Sequence, residues 1–222
     1  MKYQGNKTRI VGDILPIMLS RYDGSCFVDA FCGSCSVIQD VPSDYRRIAN
    51  DKNRYLVAMW KSLVGGKTFT ERIEKPFYDK VRDCFNGRFF SGGYSGHSVA
   101  TKTGKPRDYI TENIGNIRSQ LSSHDMTGIE WYSTDYYNIP LPDKSLIYCD
   151  IPYKDTKQYE FSKGFDYEMF YDWCRAMKED GHTVFISEYS MPSDFECIWE
   201  KEITNAMNQT ITKKPVEKLF IP

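Results

Sequence analysis

No apolar run in the 222-residue chain approaches the ~20 residues needed to cross a bilayer. The segment Met1 to Arg9 also lacks the apolar core of a secretory signal, so a cytoplasmic protein with no membrane partner is expected. Histidine is scarce, with three in all, and the single C-x-x-C (Cys32-Gly33-Ser34-Cys35) has no second pair to complete a zinc site. Metal and dithiol redox chemistry are therefore poor explanations of the chain. Seven cysteines, an odd number sitting mostly in apolar segments (Cys26, Cys149, Cys174, Cys197), argue for free thiols and against a disulfide framework. The glycine pattern G-x-G-x-x-G is missing. With 29 basic against 30 acidic residues there is no chain-wide electrostatic footprint for a polyanion. One stretch, Asn86 to Arg107, lacks carboxylates altogether while carrying Arg88, Lys102, Lys105 and Arg107, which leaves the remainder about five charges acidic. A basic patch on an acidic body fits a polyanion met at one face, and Phe89, Phe90 and Tyr94 add rings that suit bases. The plainer alternative is a solvated basic loop.

What is present is an alternation of short apolar runs and amphipathic segments. Gly5 to Arg21 reads as a helix with a kink or break at Pro16. Cys26 to Phe31 reads as a buried strand, Cys32 to Ser36 as a glycine-bearing turn, and Val37-Ile38 as the start of a helix. That layout belongs to nucleotide-type cofactor loops. A second strand, Arg46 to Asp51, ends on an acid about 20 residues further on, the distance at which Rossmann-like sheets place a carboxylate on ribose hydroxyls. Capping of the helix Arg54 to Leu63 by Asp51 or Asn53 is an alternative role and a compatible one. Thr70 to Phe85 and Asp108 to Leu121 are helical in period and flank the basic stretch, which has room for a β-hairpin. Strands follow at Gly128 to Tyr136 and Leu146 to Asp150, a helix at Phe165 to Met177, a strand at Thr183 to Ser187, and a closing pair at Phe195 to Ile203 and Glu217 to Ile221. The expected fold is α/β, Rossmann-like, mostly parallel with an antiparallel closing element at one edge. Residues 1–64 and 127–222 would form one domain, interrupted by an insert over 65–126.

The stretch Ser145 to Tyr153 concentrates the chemistry. Its apolar run ends in Asp150-Ile151-Pro152-Tyr153, and ligands of open α/β sheets sit just past the carboxyl ends of the strands. An exocyclic amine on adenine or cytosine is a poor nucleophile because its lone pair is delocalised into the ring. A carboxylate and a backbone carbonyl that accept its two N–H groups draw the nitrogen toward tetrahedral geometry. Asp150 supplies the first acceptor and Ile151 the second, and Pro152 keeps the residue before it extended, so its carbonyl is aimed. Tyr153 offers a face on which a flipped base can stack. Read alone, the tetrapeptide is also consistent with a strand-end turn of no chemical importance.

Four short segments in order, Tyr3-Gln4-Gly5-Asn6-Lys7, Phe27 to Gly33, Ala49-Asn50-Asp51 and Tyr148 to Tyr153, resemble the motifs of Dam-type (class alpha) DNA adenine N6-methyltransferases of bacteria and phages. The resemblance implies a methyltransferase fold with a target-recognition insert, S-adenosylmethionine as cofactor without a metal, and double-stranded DNA as substrate with base flipping. It also implies a monomer in a bacterial or phage-infected cytoplasm. A restriction-modification partner is compatible with the class and not implied by these residues. Carried over by position, Tyr3, Gly5 and Lys7 would contact the cofactor, with Lys7 also near the target base. Asp29, Phe31 and Gly33 would form the loop around its methionine end, Asp51 would hold the ribose, and Asp135 or Tyr136 would lie near its adenine. Asp150 would be catalytic, with Ile151, Pro152 and Tyr153, and would also lie against the cofactor. Arg88, Lys102, Lys105 and Arg107 are the DNA-binding candidates. The family's tetrapeptide is D-P-P-Y, so Ile151 implies a looser loop, and Cys35 stands where glycine is common and would crowd the cofactor. A cytosine N4-methyltransferase and a decayed, non-catalytic relative are the alternatives.

Overall fold

Short runs of β-branched and aromatic residues, apolar on both sides of the pleat, can be buried only inside a sheet covered on both faces. The computed structural model describes residues 5–67, 97–99, 104–154, 164–203 and 215–222. In it β1 (Cys26–Asp29), β6 (Leu146–Asp150) and β7 (Thr183–Glu188) are such runs, and β2 (Arg46–Asn50), β5 (Glu130–Tyr132), β8 (Glu196–Glu202) and β9 (Val216–Ile221) are more polar strands that join them. They make one seven-stranded sheet in the order β5-β2-β1-β6-β7-β9-β8. The first five of these are mutually parallel. The fold is the expected Rossmann-like α/β fold. The closing pair gives the antiparallel element at one edge: β9 runs antiparallel between β7 and β8, and β8 is the edge strand. A separate two-stranded sheet pairs β3 (His97–Val99) with β4 (Pro106–Asp108), the hairpin for which the basic stretch has room.

The period of two along each strand sorts the core into two layers. Phe27, Ala49, Leu146, Tyr148 and Phe185 face α1 (Val11–Ser20), α2 (Arg54–Val64) and α3 (Tyr109–Ser123), and pack with Met18, Trp60 and Ile117. Val28, Ile48, Ile147, Cys149 and Ile186 face α4 (Tyr167–Glu179), and pack with Phe170, Tyr171 and Cys174. Helix α3 comes from the expected insert, yet its Ile117 is fully buried in the first layer and Gln120 donates to Ser34 O at 2.8 Å. Thr70 to Phe85, the other helix expected of that insert, lies outside the described residues.

Two expectations about elements change. The first helix begins at Val11 and not Gly5, because Gly5 adopts φ +80° and Lys7 to Arg9 form a turn in which Lys7 O accepts from Ile10 N and Val11 N. It then runs through Pro16 without a break. Behind the first loop there is no helix, only a 3-10 turn at Ile38–Asp40. The phosphate cradle of a dinucleotide fold uses a helix N-terminus at this place.

The top of the sheet is tied by Asn50, which is buried. Its Nδ2 donates to Ala30 O at 3.0 Å and to Thr134 O at 3.1 Å, and its Oδ1 accepts from Thr134 N at 3.0 Å. Asn50→Ala strands these backbone groups where water reaches poorly, so a loss of ~1–3 kcal/mol is expected. A urea melt checks it as a lower midpoint with an unchanged slope.

Candidate active site

The carboxyl ends of the parallel strands carry a row of acids. Asp29 ends β1, Asp51 follows β2, Asp150 ends β6 and Glu188 ends β7. Because β9 runs the other way, its start lies at this same rim and adds Glu217. The turn before α1 brings the cation. Lys7 Nζ donates to Gly5 O at 3.1 Å and lies 2.8 Å from Asp150 Oδ1 and 3.9 Å from Glu217 Oε2. It also stands 4.7 Å from the centre of the Tyr153 ring. Lys7 is 4% exposed and Asp150 20% at the side chain, so the pair is largely withdrawn from water while the acid keeps an open side. Burial pushes the Asp150 carboxyl up to about 6, against the pull of Lys7 and with a further push from Glu217.

The loop after Asp150 is held at three points. The Ile151 side chain is buried in the second core layer. The Pro152 carbonyl accepts from Tyr167 Oη at 2.9 Å, and Lys154 N donates to Glu188 Oε2 at 2.9 Å. Glu188 also accepts from Tyr189 N at 2.6 Å, and burial raises its carboxyl to about 7. Packing of the isoleucine side chain anchors the position that a proline ring would stiffen. Tyr153 donates to Glu217 Oε2 at 2.6 Å and packs edge-on against Tyr189, 4.5 Å between ring centres.

The first loop closes on Asp51. Gly33 N donates to Asp51 Oδ2 at 3.0 Å, Asn53 N donates to Oδ1 at 2.7 Å, and Gly33 O accepts from Trp60 Nε1 at 3.1 Å. Asn53, not Asp51, caps α2, which leaves Asp51 to hold the loop. Burial raises the Asp51 carboxyl to about 6, opposed by those two N–H groups. Gly33 has φ +46° and Cys35 φ +58°. The second value explains the preference for glycine at 35, since a left-handed backbone costs an L-residue ~1–2 kcal/mol. Cys35 is fully buried in the first core layer, with Cys32 beside it.

Asp29 is 2% exposed, and its Oδ1 has no hydrogen-bond partner among the described residues. Burial raises its carboxyl well above the usual range, with Asp150 adding to the effect. Asp135 pairs with Lys52 Nζ at 2.6 Å and precedes the turn Tyr136–Asn138. Tyr136 is 5.6 Å from Phe31 and 5.9 Å from Phe165 between ring centres, an aromatic wall past the end of β1. The structure thus brings Gly5, Lys7, Asp29, Asp150 and Tyr153 to one rim with Asp51 and Gly33 beside them. Tyr3, Arg88 and Lys102 lie outside the described residues, Lys105 is exposed before β4, and Arg107 lies in β4 opposite Ser98. Among the described residues no group of three or more potential ligands could hold a metal ion. No described helix is long and apolar enough to cross a membrane.

Sequence reading missed Glu188, Glu217, Tyr167 and Asn50. The strand-end rule that found Asp150 would have found Glu188, which directly follows Thr183 to Ser187. Glu217 gave no such signal, because the rule speaks only of parallel strands.

Residues 3–88 match the family model of the D12 class N6 adenine-specific DNA methyltransferase. The match spans Lys7, Asp29, Phe31, Gly33 and Asp51 and ends before Asp150. Among solved structures the chain is similar to the rRNA methyltransferase aviRa from Streptomyces viridochromogenes, at 12% identity and a TM-score of 0.49, over 96% of this chain and 84% of that one. No curated protein matches the chain.

Proposed function

We propose that the chain is a Dam-type DNA methyltransferase that moves a methyl group from S-adenosylmethionine to the N6 amine of a flipped adenine in double-stranded DNA, in a bacterial or phage-infected cytoplasm. The observation that carries this reading is the 2.8 Å contact of Lys7 with Asp150, which joins the segment matched to the adenine methyltransferases to a D-I-P-Y loop outside the match.

The residues fit the cofactor. The unpartnered oxygen of Asp29 calls for a donor such as an amino-acid ammonium, the Asp51 carboxylate suits ribose hydroxyls, and the Phe31–Tyr136 wall suits an adenine. Once bound, S-adenosylmethionine supplies a methyl group activated on a sulfonium sulfur. Asp150 and the Ile151 carbonyl accept the two N–H groups of the target amine, and Tyr153 faces the base. The negative charge of Asp150 then lies where positive charge develops on the nitrogen. No strong base is required, because methylation itself makes the amine acidic.

The test is incubation of purified protein with labelled S-adenosylmethionine and, separately, unmethylated DNA, RNA and a protein mixture. Label in DNA alone supports the reading, and label only in RNA or protein rejects it.

A carboxylate that must be ionised, with its pKa raised to about 6, gives kcat/KM an acid limb near that pH. Lys7 holds the value down, so Lys7→Met should move the limb to higher pH as well as slowing the reaction. A pH series on both proteins checks the direction. For the basic hairpin, Lys105→Ala with Arg107→Ala should weaken DNA binding and make the plot of log K against log salt shallower by ~2. A binding titration at several salt concentrations reads this directly, and an unchanged slope removes the hairpin from the DNA face.

A further inference from the structure

Among the described residues Lys7 has two carboxylates within reach and makes its close contact with one of them. Asp150 Oδ1 is at 2.8 Å and Glu217 Oε2 at 3.9 Å, and that same Glu217 oxygen accepts the Tyr153 phenol at 2.6 Å. The ring of Tyr153 in turn stands 4.7 Å under the Lys7 ammonium. Glu217 is 7% exposed, and lies on a strand that shares no local sequence with the tetrapeptide or with the turn bearing Lys7. A buried glutamate in this place has no packing reason to be charged or polar. Its oxygen organises two groups that both face the base.

We propose that Glu217 is a positioning residue of the base pocket, which fixes the Tyr153 ring through its hydroxyl and receives the Lys7 ammonium when the target amine takes its place on Asp150. This rests on the methyltransferase reading given above. The need for such a residue follows from the contact itself. In the bare site Lys7 occupies Asp150 Oδ1, one of the acceptors a target amine would use. Releasing that oxygen without a second anion would leave an ammonium buried and unpaired, which is strongly unfavourable. A shift of about 1 Å in a flexible four-carbon side chain brings Lys7 to Glu217 instead. The ion pair is then exchanged and not broken, and the ring beneath it keeps its place because the phenol stays on the same oxygen.

The charged and titratable groups that face Asp150 are Lys7 from the turn before α1, Asp29 from β1, Glu188 and Tyr189 from β7 and beyond, Glu217 from β9, and Tyr148 and Tyr153 from its own strand and loop. Among the described carboxylates, Glu217 is the one within 4.0 Å of Lys7 besides Asp150 itself.

The test uses the full chain with Glu217→Gln and Glu217→Asp. Glutamine keeps an acceptor for Tyr153 and removes the charge, so kcat on unmethylated DNA should fall about tenfold or more. The KM for S-adenosylmethionine should stay within a factor of about two. The acid limb of kcat/KM should move to lower pH, since the anion that opposes ionisation of Asp150 is gone. The limb reports the lost charge alone; the fall in kcat read above that limb, at an unmoved cofactor KM, is what a merely structural role would not give. Aspartate keeps the charge and shortens the reach, so its limb should stay near that of the unaltered protein while kcat falls several-fold. Wild-type kcat and an unmoved limb in Glu217→Gln overturn the proposal. If Glu217→Gln does not fold, full kcat in Glu217→Asp overturns it independently. Absence of methyl transfer to DNA by the unaltered chain would instead reject the functional reading underneath, so the two failures are distinguishable.

Discussion

Asp150→Ala should reduce methyl incorporation by about 10²–10³-fold in kcat, with cofactor still bound. The expectation rests on what the carboxylate touches. Its pKa is raised to about 6 by burial, so at neutral pH it is an ionised acceptor in a poorly solvated place, where a single preorganised charge acts strongly. Alanine removes the acceptor for the amine and the negative charge beside the developing positive nitrogen. It also changes the balance around Lys7, which loses its 2.8 Å carboxylate partner and keeps Gly5 O at 3.1 Å and Glu217 at 3.9 Å. A drop in thermal stability should therefore accompany the loss of activity, and Asp150→Asn separates the two effects. Asparagine still offers a carbonyl to one N–H of the amine, so it should retain more activity than alanine while showing the same loss of charge. Single-turnover kinetics on all three proteins, with binding of S-adenosylmethionine measured in parallel, checks the order. Equal rates for Asp150→Ala and the unaltered chain would place the chemistry elsewhere.

Asp29→Asn should act with opposite sign on affinity and on stability. The carboxylate is buried, its Oδ1 lacks a partner among the described residues, and burial together with the nearby Asp150 holds its pKa well above the ordinary range. A carboxylate whose folded pKa is raised binds a proton in the native state that the unfolded chain has already released. Stability conferred by this group is therefore present at low pH and is lost as pH rises through the carboxylate range toward the raised value. Asparagine removes that loss, so the cofactor-free protein should become more stable at neutral pH, and its stability should depend less on pH. Cofactor affinity should fall about 10–100-fold, the size expected when a charged hydrogen bond to an ammonium becomes a neutral one. Calorimetric titration with S-adenosylmethionine and thermal melts across pH read the two effects separately. A variant that loses stability and keeps affinity would assign Asp29 to the fold and not to the cofactor.

Much of this arrangement was legible in the sequence, for a physical reason. Strands buried on both faces must be short apolar runs, and parallel strands deliver their terminal residues to one rim, so Asp51 and Asp150 could be placed from local pattern, whereas Asp29 came only from the family resemblance. The groups that went unread depend on long-range geometry. Glu217 reaches the rim because β9 enters the sheet antiparallel between β7 and β8, and nothing in Val216 to Ile221 declares its neighbours. Helix α3 has the expected period, but its seat against Ser34 follows from Gln120, a residue type that is usually exposed. The left-handed backbone at Cys35 was visible only as a missing glycine. Ile151 shows the same limit from the other side. Its carbonyl could be assigned a use from the sequence, whereas the burial that steadies it needed the second core layer.

The central claim is that Asp150, with Lys7 beside it, prepares an adenine amine for methylation. It is tested most directly by enzymatic digestion and mass spectrometry of DNA that the purified chain has methylated in the presence of S-adenosylmethionine. N6-methyladenine that appears with the unaltered protein and vanishes with Asp150→Ala is the predicted result. N4-methylcytosine would assign the same acceptor geometry to the other amine, and cofactor binding without any modified nucleoside would contradict the account.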